Sequence, residues 1–132
     1  MDINNFLNIQ PYSLDKTSKS KILDSHFFEL TQHHYDNCNQ YKNMLDAIGY
    51  NIKEQQNYLE IPFLPVRLFK MFDLYSVSNE SMFKTMTSSG TSGQKVSKIF
   101  LDKKTALNQS KALSKIVSTF LGSKRSPMII ID

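Results

Sequence analysis

The sequence is poor in the residues that mark several classes of protein. Its 132 residues include one cysteine, Cys38, which excludes an internal disulfide framework. No apolar run approaches the length of about 18 residues that a transmembrane helix needs. The start, M-D-I-N-N-F-L, lacks the basic residues and the long apolar stretch of a signal peptide. With an apolar content of 40%, the chain is predicted to be a globular cytoplasmic protein without a membrane span.

Acidic residues are scarce in the second half of the chain. Residues 1–66 carry five lysines and eight acidic residues, whereas residues 67–132 carry eleven basic and four acidic residues. The net charges are therefore −3 and +7. A nucleotide or another anionic substrate explains the positive half, and nucleic acid is the alternative. The lysines are scattered without a basic run and no nucleic-acid-binding motif is present, so we expect no nucleic-acid partner.

The most informative segment is the stretch T-S-S-G-T-S-G-Q-K at residues 87–95. Its glycines give backbone freedom, and its short hydroxyls and N–H groups can converge on phosphate. Residues 81–101 contain no Asp or Glu, which suits a polyanionic ligand. We predict a phosphate-binding loop, and a plain Ser/Gly-rich hairpin turn is the alternative. The candidate binding residues are Thr87, Ser88, Ser89, Gly90, Thr91, Ser92, Gly93, Lys95 and Lys98.

The spacing of this loop excludes two common phosphate-binding patterns. Neither the G-x-x-x-x-G-K-[ST] loop of nucleotide triphosphatases nor the G-x-G-x-x-G turn of Rossmann folds is present. Residues 88–94, S-S-G-T-S-G-Q, instead resemble the start of the loop [ST]-[SG]-G-[ST]-[TS]-G-x-P-K of adenylate-forming ligases. Lys95 and Val96 stand where that family has Pro and Lys. By resemblance, the phosphate-binding role of the family's lysine therefore falls to Lys95 or Lys98.

A second resemblance narrows the class to acyl-protein synthetases of the LuxE type. I-P-F-L-P-V at residues 61–66, followed by L-F-K at 68–70, is similar to the segment that precedes the phosphate loop in that family. H-Y-D-N at residues 34–37, with Y-K at 41–42, resembles its N-terminal helical region. The alternative for the proline segment is an extended linker over a core, because proline restricts the backbone whatever the function.

This resemblance implies an ATP-dependent ligase that activates a carboxylic acid, typically a fatty acid, as an acyl-adenylate. The acyl group would then pass to a thiol or an acceptor protein. The loop would hold the β- and γ-phosphates, Mg²⁺ would accompany ATP, and no general base is needed because the carboxylate is ionised at neutral pH. The alternatives are an enzyme of the phenylacetate–coenzyme A ligase type and a non-catalytic interaction module that retains part of the fold.

The periodicity and the turn signals predict an α/β fold with N-terminal helices followed by a strand–phosphate loop–strand hairpin, a helix and a buried strand. The predicted elements are a helical region from residues 15–18 to Gly49 with a weak point at residues 37–39, a short helix near 66–72, strands at 82–87 and 96–101, a helix between the cap Asp102 and Gly122, and a buried strand at 127–131.

We interpret residues 1–132 as a single domain or as the N-terminal piece of a longer LuxE-like ligase. Residues 1–58 are predicted to be mainly helical, and residues 59–132 form the α/β part with the phosphate loop. Adenylate-forming enzymes are longer and carry an adenine pocket, acidic ATP motifs and a late lysine, for which the chain offers no match. We therefore expect the chain by itself to be inactive as a ligase, and to self-associate near residues 129–131.

His34 and Cys38 form a further candidate site, because they are four residues apart on the apolar stripe of the first helical region. A catalytic Cys/His pair or half of a metal site is one interpretation. We favour core packing, because Cys behaves as a small hydrophobe and further metal ligands are few. No catalytic residue is assigned from the sequence.

Overall fold

Helices dominate the described part of the chain. The structure is a computed structural model and describes residues 3–54, 57–88, 95–124, 127 and 129. Among these residues, no helix combines the length and the apolar character that a membrane crossing requires. The elements in chain order are α1 (Ile3–Asn8), α2 (Lys16–Asn37), α3 (Asn39–Ala47), α4 (Leu68–Met71), β1 (Met82–Thr87), β2 (Lys98–Asp102) and α5 (Lys103–Leu121), with short 3-10 turns at Ile52–Glu54, Tyr58–Glu60 and Asn79–Ser81.

The first helical region is two helices, as the weak point in its sequence predicts. The Asp15 carboxylate accepts hydrogen bonds from the backbone N–H groups of Thr17 and Ser18, both at 2.9 Å, and so caps the start of α2. Cys38 takes an extended conformation, with φ of −132° and ψ of 99°, and separates α2 from α3. Gly49 follows α3 with a φ of 68°, a left-handed conformation that glycine adopts at little cost.

The core of the helical part lies where α3 and the first 3-10 turn pack against α2. Cys38, Leu45 and Ile52 are buried there, and Leu45 is fully inaccessible to solvent. Thr31 on α2 is also buried. Of the apolar stripe predicted for the first helical region, Cys38 and Leu45 reach this core, whereas Phe27, Leu30 and Ile48 are exposed.

The strands β1 and β2 form an antiparallel hairpin, as predicted. Thr87 pairs with Lys98, and an irregularity in the register lies between Met82 and Lys84. β2 starts two residues later than expected, because Ser97 takes part in closing the loop. The helix α5 packs against both strands and buries Leu101. The sheet is small, and apolar side chains on both strands remain exposed.

The helix α5 begins and ends at the predicted residues. The Asp102 carboxylate accepts a hydrogen bond from the Thr105 backbone N–H at 2.6 Å, and Gly122 ends the helix with a φ of 79°. The predicted strand at 127–131 lies outside the described residues, apart from Pro127 and Ile129, for which no strand is assigned. The described residues are therefore consistent with a partial α/β domain.

We predict that Asp102→Ala lowers the free energy of unfolding at pH 7 by about 1 kcal/mol, because α5 loses its N-terminal cap. The hydroxyl and the N–H of Thr105 bond to the carboxylate and lower the pKa of Asp102 below its ordinary value of 3.8. The stabilisation by the charged cap is therefore present above pH 3.8 and is lost as the pH falls through the pKa of the folded state. Urea unfolding between pH 7 and pH 3 measures both effects.

Asp102→Asn is the matched control for this prediction. Asparagine is an equally good N-cap without a titrating group, so the variant should keep its stability at pH 7 and lose the part of the acid dependence that Asp102 contributes. Equal stability of the Ala variant and the wild-type protein would contradict the capping role.

Candidate functional site

Two serines join the ends of the predicted phosphate loop. The Ser88 backbone N–H donates to the Ser97 carbonyl oxygen at 3.1 Å, and the Ser97 N–H donates to the Ser88 hydroxyl oxygen at 3.0 Å. The chain therefore leaves β1 and returns to β2 at adjacent points. The Ser88 oxygen accepts a backbone bond, so its own O–H group remains able to donate.

The structure describes four of the nine predicted binding residues. Thr87 ends β1, Ser88 follows it, Lys95 lies on the return side of the loop, and Lys98 begins β2. The other five lie outside the described residues and are Ser89, Gly90, Thr91, Ser92 and Gly93.

The two candidate lysines have different surroundings. The Lys98 ammonium lies 3.1 Å from a carboxylate oxygen of Asp73, which follows α4. Lys95 lines a cavity of about 670 Å³ together with Arg67 and Lys70. Lys98 therefore has an anionic partner within the described residues, whereas Lys95 lies beside two further cationic side chains.

The cavity beside Lys95 owes its shape to the turn that follows the proline segment. The Leu68 N–H donates to the Pro65 carbonyl at 2.9 Å, and the Lys70 N–H donates to the Arg67 carbonyl at 3.0 Å. These bonds begin α4, which packs against β2. Residues three apart on a helical turn share a face, so Arg67 and Lys70 reach the same cavity.

Sequence reasoning missed Arg67 and Lys70 as site residues. The sequence predicts a family signature or a linker for the proline segment. The structure brings the residues that follow this segment next to Lys95 of the predicted loop. The available signal was the three-residue spacing of two cations directly after Pro65. Asp73 carried no signal, because its partner lies 25 residues further along the chain.

A buried hydroxyl lies at the base of the loop. Ser97 is 8% exposed, and its hydroxyl oxygen has no hydrogen-bond partner within the described part of the chain. Leaving a buried hydroxyl without a partner costs free energy. The Ser97 hydroxyl is therefore an available donor or acceptor beside the end of the predicted loop.

Cys38 is a core residue, as predicted. Its side chain is 4% exposed, and its backbone links the two helices through bonds from the Cys38 N–H to the His34 carbonyl and from the Lys42 N–H to the Cys38 carbonyl, both 2.9 Å. Across the described residues, no group of three or more His, Cys, Asp or Glu side chains could hold a metal ion.

His34 has a partner that the sequence did not reveal. Its Nδ1 atom lies 2.6 Å from the hydroxyl oxygen of Ser76, which is 42 residues away along the chain. The rings of Tyr41 and His33 lie edge-on to it, at centroid distances of 6.0 and 5.4 Å. Burial, and secondarily the nearby His33, lower the pKa of His34 below 6.5. Neutral His34 therefore joins α2 to the segment before β1 through its hydrogen bond with Ser76.

Comparison with known proteins identifies a family. The family model described as "Acyl-protein synthetase, LuxE" matches residues 2–132. The matched range includes the helical region, the proline segment and the predicted loop, on which the resemblance in the sequence was based. No curated protein and no solved structure matches the chain significantly.

We predict that the protein loses stability as the pH falls below 6.5, because the unfolded chain protonates His34 more readily than the folded chain does. The contribution of neutral His34 is present above pH 6.5 and is lost as the pH falls through the lowered pKa of the folded state. Thermal unfolding from pH 7.5 to pH 5 should show a smaller decline in His34→Gln. His26→Gln on the same helix is the control, because His26 is not among the groups that shift the pKa of His34. An unchanged profile in His34→Gln would refute the prediction.

We predict that Cys38→Ala lowers the free energy of unfolding by about 1 kcal/mol through lost packing. Ser25→Ala, an exposed change on α2, should have little effect. Urea unfolding measures both. In a longer ligase that contains this chain, Cys38→Ala should also retain wild-type acyl transfer, and an acyl thioester mapped to Cys38 by mass spectrometry would contradict the structural role.

Proposed function

This chain belongs to the LuxE family of acyl-protein synthetases, and we propose that it contributes the phosphate-binding loop of an ATP-dependent acyl ligase. The main support for this proposal is the hairpin, in which the Ser88–Ser97 hydrogen bonds join the two ends of a Ser/Thr/Gly-rich segment. Lys95, at the return end of that segment, has no carboxylate partner within the described residues.

The reaction we propose begins with the carboxylate of an acyl substrate. Its oxygen attacks the α-phosphorus of ATP, the bond to the bridging oxygen of the β-phosphate breaks, and acyl-adenylate and pyrophosphate result. The acyl group then passes to a thiol of an acceptor protein, and AMP leaves. A carboxylate is ionised at neutral pH, so the first step needs no general base.

The loop residues would act on the leaving group in this scheme. Thr87 and Ser88, with the following residues to Gly93, would offer hydroxyl and N–H donors to the β- and γ-phosphates, and Lys95 would add positive charge. Donors that are already in place stabilise the charge that develops on pyrophosphate in the transition state. Mg²⁺ would accompany ATP, bound to the oxygens of its phosphates.

Lys98 has a positioning role in this proposal. Its ammonium group pairs with Asp73, and both side chains are substantially exposed, so the pair contributes little to stability. Its effect is geometric, because it ties Asp73, two residues after α4, to the first residue of β2. Lys95, three residues earlier, is thereby left as the lysine that meets phosphate.

The proposal predicts that Gly90→Val weakens the binding of ATP and of pyrophosphate by at least about tenfold. A branched side chain restricts the backbone and occupies space that a phosphate held by loop N–H groups requires. Isothermal titration calorimetry measures the affinity, and ATP–pyrophosphate exchange in a longer ligase that contains this chain measures adenylate formation.

Ser123→Val is the control for added bulk, because Ser123 is exposed and lies outside the loop. It should bind ATP as the wild-type protein does. Wild-type affinity and exchange in Gly90→Val would refute a phosphate-binding role for the loop.

A further inference from the structure

The cavity beside Lys95 gathers three cationic side chains from two distant segments. Arg67 and Lys70 come from the turn that starts α4, and Lys95 comes from the return side of the predicted loop. The remaining lining residues are the apolar Val66 and Met71. No acidic side chain lines the cavity among the residues that the structure describes.

The charge of this group is not balanced by the described part of the protein. There, Lys98 is the only lysine or arginine that pairs with a carboxylate, that of Asp73, so none of the three cations has a carboxylate partner. Asp73, the acidic residue nearest to α4 in sequence, is bonded to Lys98. Three cationic side chains without a carboxylate partner favour the binding of an anion at this cavity.

We propose that Arg67 and Lys70 bind the phosphate chain of ATP, and the released pyrophosphate, together with Lys95. This inference rests on the proposed function and adds Arg67 and Lys70 to the residues proposed to bind phosphate. It assigns a binding role to the segment that follows the prolines, and no motif of the loop itself implies that role.

A polyphosphate suits this cavity better than a carboxylate does. A carboxylate carries one negative charge and is matched by one cation, whereas pyrophosphate carries several charges and oxygens for all three. The guanidinium of Arg67 can hold two phosphate oxygens at once, and the ammonium groups of Lys70 and Lys95 act as point charges.

The backbone fixes the two added cations before a ligand arrives. The hydrogen bond from the Lys70 N–H to the Arg67 carbonyl sets their spacing, and the packing of α4 on β2 sets their distance from the loop. The Lys98–Asp73 pair holds the end of the same segment. Less ordering is then needed on binding, which favours affinity.

The test compares single charge removals at and away from the cavity. Arg67→Gln, Lys70→Gln and Lys95→Gln each remove one charge inside it, and Lys111→Gln removes one from an exposed position on α5. We expect the three cavity variants to weaken pyrophosphate binding by about tenfold or more each, as for the loss of a charge-assisted hydrogen bond. Lys111→Gln should bind as the wild-type protein does. Calorimetry with pyrophosphate, and with ATP in parallel, measures these affinities.

The outcomes separate this inference from the function on which it rests. Suppose that Arg67→Gln and Lys70→Gln bind pyrophosphate as the wild-type protein does, whereas Gly90→Val binds it weakly. This result overturns the inference and supports the role of the loop. Weak binding in the Arg67 and Lys70 variants, with wild-type binding in Gly90→Val, supports the cavity and refutes the loop. Absence of pyrophosphate binding by the wild-type protein overturns both.

A competition arm tests the chemistry of the ligand. Acetate at the concentration of pyrophosphate should not displace it, because one carboxylate satisfies only one of the three cations. Displacement by acetate would assign the cavity to the carboxylate of an acyl substrate and overturn the proposal. Arg67→Lys should restore part of the affinity lost in Arg67→Gln, because lysine restores the positive charge but lacks the planar guanidinium group that binds two phosphate oxygens.

Discussion

The antiparallel pairing of β1 with β2 is the interaction on which the candidate site depends. It brings Ser88 and Ser97 within two hydrogen bonds of each other, so the segment between them becomes the tip of a hairpin. It also provides the surface against which α4 and α5 pack. Without this pairing, Lys95 and the proline segment would share no cavity, because 24 residues separate Lys95 from Met71.

Weak contacts decide the arrangement of charge around this hairpin. The Lys98–Asp73 pair is exposed to solvent and contributes at most about 1 kcal/mol to stability. It nevertheless gives Lys98 an anionic partner, and the three cations of the neighbouring cavity have none among the described residues. In the proposed function, this weak pair makes Lys98 a positioning residue, and Lys95, three positions earlier, is the proposed phosphate ligand.

Much of the local structure follows from the sequence by short-range rules. The cap at Asp15, the break at Cys38 and the cap at Asp102 each depend on hydrogen bonds or dihedral angles within a few residues. The start of β2 was less predictable, because Val96 is a strand-favouring residue but precedes Ser97, whose backbone closes the loop. The family could also be recognised from the sequence, since its motifs are contiguous.

The sequence by itself determined the residue types of the predicted loop, the ends of α2 and α5, and the family. The tertiary structure decided which side chains meet. The bonds His34–Ser76 and Lys98–Asp73 join residues 42 and 25 positions apart, and no periodicity encodes such distances. The cavity of Arg67, Lys70 and Lys95 has the same origin, because it exists only where α4 packs on β2. Local hydrogen bonding is determined by neighbouring residues in the sequence. Contacts across the fold depend instead on how whole helices and strands bury their apolar faces against each other.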